Sequence, residues 1–162
     1  MVALAAISII TFAAYWDVLF NFFLGDDYGL IVWIKAAMHD PSLLWRDFHG
    51  SWLGSPTTKF YRPMISVTIL LDHFLYGYDA TGYHVTNVLS LVATSICLYF
   101  IVRAVAGNSI SKAPLWPAMA AILFSLYPLH TETVSWIIGR VDSVCIAFFA
   151  ASFIAYLAWR RS

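Results

Sequence analysis

The sequence predicts an all-α fold: a polytopic membrane bundle of about four transmembrane helices, with further helices lying on the membrane surface in a long first loop. Three observations predict it. Of 162 residues, 61% are hydrophobic and 11% charged, against about 25% charged in a soluble domain. Apolar runs fall at 2–24, 85–106, 114–129 and 143–159, and a helix needs about 20 residues, roughly 17 at least, to cross the hydrocarbon. The mean hydropathy is +0.76, and the seven Trp and nine Tyr suit membrane–water interfaces, where a ring is half dry and half wet.

The run 2–24 is long enough to span. Asp17 interrupts it and is expected to face other helices or the interface. The run lacks a basic leading segment and a small-residue cleavage site, so it reads as an uncleaved signal anchor. Residues 25–84 then form an extracytoplasmic loop of about 60 residues, a length that carries either function or disorder. Its aromatic content argues for order, as short surface helices. Met64 to Leu71 is apolar, but Asp72 and His73 close the run. Residues 64–76 are therefore expected to lie along the membrane surface. Pro63 would sit in the first turn, where its missing N–H costs little. The run 85–106 is ample for a span; 114–129 and 143–159 are marginal and need their aromatic ends.

Arg103 and Lys112 follow the second span without an acid between them, and Arg160-Arg161 follow the fourth. The excess of cations on the cytoplasmic side places both there. The N-terminus is then inside, and residues 25–84 and 130–142 are outside. An integral, multi-pass protein is expected, with a bacterial cytoplasmic membrane favoured over the endoplasmic reticulum.

Several functions are disfavoured. The net charge is zero and no basic run exists, so nucleic-acid binding has no electrostatic basis. Cys97 and Cys145 lie in apolar runs and read as two reduced structural cysteines. His130 and Glu132 are two apart, and a regular helix points such residues in different directions, so a zinc site is not expected. No Ser-His-Asp set, phosphate loop or dinucleotide fingerprint is present. Polar residues gather at one end of the spans rather than at mid-membrane, which disfavours a transporter.

What remains is a set of polar clusters on one membrane face, and ionisable groups kept beside hydrocarbon are candidates for function. In Asp26-Asp27, two adjacent carboxylates repel, and a low dielectric raises at least one pKa. The pair suits a general base, a divalent cation held through oxygen, or a helix cap. In Tyr61-Arg62-Pro63, the planar arginine fork suits a phosphate or lipid headgroups. His84 and Asn87 are three apart and share a helix face, fit for a polar ligand or for neighbouring backbone. One short connection holds His130, Glu132, Arg140 and Asp142. Asp142 is placed to cap the fourth span, and Arg140 to pair with Glu132 or Asp142.

The ordered set Asp26-Asp27, Tyr61-Arg62-Pro63, Gly82-Tyr83-His84-Val85-Thr86-Asn87, His130-Thr131-Glu132 and Gly139-Arg140-Val141-Asp142 resembles the N-terminal portion of the membrane-embedded GT-C superfamily of glycosyltransferases. The likeness covers roughly residues 15–157 and is strongest to the transmembrane, tetratricopeptide-repeat-containing protein O-mannosyltransferases and their bacterial relatives. The resemblance implies an inverting hexosyltransferase. It would move a sugar, mannose among the candidates, from a polyprenyl-phosphate carrier to a hydroxyl of a protein or glycan acceptor on the extracytoplasmic face. One aspartate of Asp26-Asp27 would be the catalytic carboxylate. Arg62 and Arg140 would meet the carrier phosphate; Tyr61, His84, Asn87, His130, Glu132 and Asp142 would line the substrate site. No cofactor is required, with a divalent metal at Asp26 and Asp27 left open. Bundles of this kind have more spans, so the chain is expected to be a fragment that needs the remaining transmembrane helices or partner subunits. The competing expectation is a non-catalytic membrane assembly or anchoring subunit.

Overall fold

The computed structural model describes residues 1–57, 59–106 and 115–160, and every regular element in them is helical. Helix α1 (Val2–Ala14) stops at Tyr15, whose φ of −112° leaves the helical region. A 3₁₀ turn, Trp16–Phe20, and an extended stretch follow. Gly25, at φ +52°, reverses the chain in a backbone region open chiefly to glycine. Helices α2 (Asp27–His39) and α3 (Ser42–Asp47) come next, then a 3₁₀ turn at Trp52–Gly54. Helix α4 (Pro63–Tyr76) starts on its proline, as the sequence predicts, and is closed by Gly77. Asp79 caps α5 (Ala80–Val105) by accepting from the Thr81 amide at 3.0 Å. Helices α6 (Leu115–Ser125) and α7 (His130–Ser135), a 3₁₀ turn at Ile137–Gly139 and α8 (Arg140–Trp159) complete the order.

Among the described residues, two stretches are long and apolar enough to cross a membrane: Ala80–Val105, with 26 residues, and Ile137–Trp159, with 23. Among the described residues, the helices within the runs 2–24 and 114–129 are shorter than a span. α1 has 13 residues and α6 has 11, which rise about 20 Å and 17 Å against about 30 Å of hydrocarbon. Asp17 with the 3₁₀ turn breaks the first. Pro128, which cannot continue a helix, stands just beyond the second. Of the cationic positions used for orientation, Lys112 and Arg161 lie outside the described residues.

The helix directions alternate. The Tyr15 hydroxyl donates to the Ser125 carbonyl at 2.9 Å, joining the ends of α1 and α6. Ile7 packs with Tyr99 and Ala118, and Leu19 with Val88, so α1 and α6 run together and opposite to α5. The starts of α5 and α8 coincide, because Arg140 reaches the Tyr83 carbonyl and Thr94 the Ser143 carbonyl.

The surface is inverted relative to a soluble protein. Thr11, His84, Asn87, Ser95, Ser125 and Ser143 are buried, whereas Ile9, Leu71, Phe74, Leu75, Phe148 and Phe149 are exposed. Polar groups inside and apolar groups outside is the pattern that lipid rewards. α4 shares it: Ser66 and Asp72 face inward and Leu71, Phe74 and Leu75 outward. The surface-lying segment is thus a helix, but one that packs on α2, α3 and α5 by a face carrying Ile65 and Ile69 together with Ser66 and Asp72.

Candidate functional site

Four separated segments enclose a cleft of about 1020 Å³. Gly25 and Asp26 precede α2; Trp52, Leu53 and Arg62 come from the loop before α4; His130 and Glu132 open α7; Ile138, Asp142 and Ile146 come from the turn before α8 and from α8 itself. The cleft therefore sits at the start of a membrane-length helix, and apolar side chains of that helix form part of its wall.

The aspartate pair divides. Asp26 is exposed and lines the cleft. Asp27 is fully buried; it accepts from the Leu24 amide on one oxygen and the Ile138 amide on the other, each at 3.0 Å. Burial pushes the Asp27 carboxyl above the ordinary range, opposed by those backbone amides. With both oxygens so engaged, Asp27 has little left for a shared cation, and no group of three His, Cys, Asp or Glu among the described residues is arranged to hold a metal.

Arg62 lies over two rings, 4.2 Å from the Phe60 centroid and 5.1 Å from that of Trp52. Among the described residues its guanidinium makes no ion pair. Glu132 and Asp142 are exposed to the cleft. Asp142 does not cap α8; Gly139 occupies that position, and Asp142 lies in the first turn, where a negative charge meets the favourable end of the helix dipole. The His130 ring packs on Phe124 at 4.6 Å, and burial depresses its pKa below the usual imidazole value. His130 is then neutral at pH 7, so Arg62 is the fixed positive charge among the described residues lining the cleft.

The other nominated residues stand behind or beside this cavity. Arg140 has no exposure and pairs with Asp72 at 2.5 Å, not with Glu132 or Asp142. It also donates to the carbonyls of Tyr83 and Ile137. His84 and Asn87 do share a face of α5, and they hold α7: Nδ1 of His84 lies 3.3 Å from the Val134 carbonyl, and the Asn87 amide donates to Trp136 at 3.1 Å. The Tyr61 hydroxyl reaches the Phe48 carbonyl, and its side chain borders a separate groove with His49 and Lys59. Sequence reading passed over Asp72, Asp47, Ser66 and Trp52. An acid ending an apolar run needs a buried cation, and that rule is the one signal that could have led from Asp72 to one of the arginines.

Three titrating groups shape the pH dependence of stability. Burial also raises the Asp47 carboxyl. A carboxyl whose pKa is higher folded than unfolded contributes fully below the unfolded value, 3.8 here, and loses that contribution as pH climbs through the folded value. His130, depressed from 6.5, behaves oppositely and loses its contribution as pH falls. The melting temperature of the purified protein is expected to fall as pH rises above 3.8, where the two carboxyls lose their contribution, and to recover toward 6.5, where that of the imidazole is complete; a curve rising steadily from pH 4 to pH 8 would contradict the burial of Asp27 and Asp47.

An all-helical fold among the described residues, with two membrane-length helices, many exposed apolar side chains and a cleft carrying charged side chains at a helix mouth, marks a membrane-associated protein. It is related to the protein O-mannosyl-transferases. Human protein O-mannosyl-transferase TMTC4 is 34% identical over 171 residues, covering 97% of this chain and 23% of that protein. Human TMTC3 is 29% identical over 149 residues, with 89% and 16% covered. The Xenopus laevis tmtc2 protein is 33% identical over 116 residues, with 71% and 13% covered. The chain thus spans less than a quarter of the length of these relatives. No protein-family model matches it, and no solved structure matches it. These animal relatives lend no support to a bacterial membrane over another.

Proposed function

We propose that the cleft is part of a glycosyltransferase site that moves a sugar, mannose by likeness to the named relatives, from a polyprenyl-phosphate carrier to a hydroxyl of a protein acceptor on the extracytoplasmic face. One observation carries the reading. The cleft gathers the Asp26 carboxylate and the Arg62 guanidinium, neither ion-paired among the described residues, beside the apolar wall of a membrane-length helix.

The roles follow from charge flow. The acceptor hydroxyl gives its proton to Asp26 as its oxygen bonds to the anomeric carbon. The bond from that carbon to the phosphate oxygen breaks, and the electron pair leaves with the phosphate. The carrier gains one negative charge, which Arg62 meets with two parallel N–H donors. The acidic side chains of Glu132 and Asp142 hold the sugar hydroxyls, and Val141 and Ile146 meet the first isoprene units. The donor set favours Asp26 acting without a metal, because Asp27 is engaged by backbone. The alternation of helix directions supports four crossings, with α1 and α6 completed by their flanking turns and by the rest of the protein.

The test is transfer by membranes that carry the full-length protein and are supplied with polyprenyl-phosphate mannose. Replacing Arg62 by Ala should lower kcat/KM by about 10²–10³-fold. Wild-type transfer by that variant at equal expression would remove the phosphate role from this cleft.

A further inference from the structure

The cradle beneath Arg62 has its foundation outside the cleft. Asp47, the last residue of α3, is 1% exposed and does not line the cavity. Its Oδ1 accepts from the Leu53 amide at 3.0 Å, and its Oδ2 accepts from the Ser66 hydroxyl of α4. The same hydroxyl oxygen accepts from Nε1 of Trp52 at 3.0 Å. The Trp52 amide in turn donates to the Phe60 carbonyl at 2.8 Å. Trp52 and Phe60 supply the two rings on which the Arg62 guanidinium lies.

The arrangement is more directional than packing requires. Leu53 has φ +55° and ψ 21°, a left-handed conformation that strains a non-glycine residue and persists only where its surroundings hold it. Asp47 supplies that hold through the Leu53 amide. A buried carboxyl without a cation is itself expensive, and Asp47 makes no ion pair among the described residues. Aliphatic packing would fix the loop more cheaply but would leave the indole free to turn. The hydrogen-bond chain instead sets the plane of the Trp52 ring, and through it the position of the guanidinium.

We propose that Asp47 is a positioning residue for the carrier phosphate, acting through Ser66, Trp52 and Leu53 on Arg62. This rests on Arg62 meeting that phosphate.

The test titrates the purified full-length protein with a polyprenyl monophosphate. Asp47→Asn and Trp52→Phe, which keeps a ring but deletes the Nε1 donor, should each raise Kd about tenfold, the worth of one charge-assisted contact. Either change, placed on Arg62→Ala, should add nothing further, since residues acting through one group are non-additive. A merely structural role would lower the folded fraction and leave the Kd of that fraction unchanged. If Arg62→Ala binds as wild type does, the phosphate reading of Arg62 fails and the inference with it. If Arg62→Ala weakens binding but Asp47→Asn does not, or weakens it equally in both backgrounds, Asp47 is no positioning residue. Should Asp47→Asn not fold, Trp52→Phe decides by the same comparison.

Discussion

Asp26→Asn is expected to cut sugar transfer by the full-length protein about 10²–10⁴-fold, the usual worth of a positioned general base. Folded yield and melting temperature should stay near wild type. The carboxylate is exposed in the cleft and, among the described residues, its side chain makes no hydrogen bond or ion pair. Nothing structural is therefore lost with its charge. Asp27→Asn should behave in the opposite way. Its carboxylate joins the Leu24 and Ile138 amides. An asparagine can accept from one of these N–H groups but turns its own NH₂ toward the other. Leaving a buried donor unsatisfied costs about 1–3 kcal/mol, so the loss should appear as lower yield and a lower melting temperature. Comparing transfer with thermal unfolding for both variants separates the roles. If Asp27→Asn abolished transfer at an unchanged melting temperature while Asp26→Asn remained active, the base would be Asp27.

The second large effect is on stability. Arg140→Met should destabilise the protein by about 3–5 kcal/mol, because it strands a buried carboxylate. Asp72 would keep only the Thr86 hydroxyl, now at 2.7 Å. The carbonyls of Tyr83 and Ile137 would lose a donor as well. The double variant Arg140→Met with Asp72→Leu should recover most of the loss, since replacing both members of a buried pair by apolar residues is often neutral or better. Thermal unfolding of the two variants in one detergent checks this. A single variant as stable as wild type would mean that the pair is solvated rather than buried.

How far the sequence could be read depends on how local each signal was. Composition and apolar runs are properties of short windows, and they showed an all-helical, membrane-associated chain with ends near those of α5 and α8. Helix continuity was less legible. A run such as 2–24 is uniformly apolar, yet Tyr15 leaves the helical region and a tighter turn takes over; average hydropathy does not register a single dihedral change. Asp26, Arg62, His130, Glu132 and Asp142, nominated from separate motifs, line one cleft. The sorting of residues within the motifs was not legible. Adjacent Asp26 and Asp27 are alike in the sequence, and only a partner 111 positions away tells them apart. Asp72 stood as the end of an apolar run because its counter-charge lies 68 residues downstream. Short-range patterns can nominate charged residues, but which are buried together depends on contacts between distant segments.

Asp27 also bears on how the cavity can move. By gripping both Leu24 and Ile138, it rivets the bank that bears Asp26 to the bank that bears Asp142. Those two cannot part without breaking the rivet. The opposite flank, with Trp52 and Arg62, is tied separately to α3 and α4 through Asp47 and Ser66, so two carboxylates that do not line the cavity pin its walls from behind.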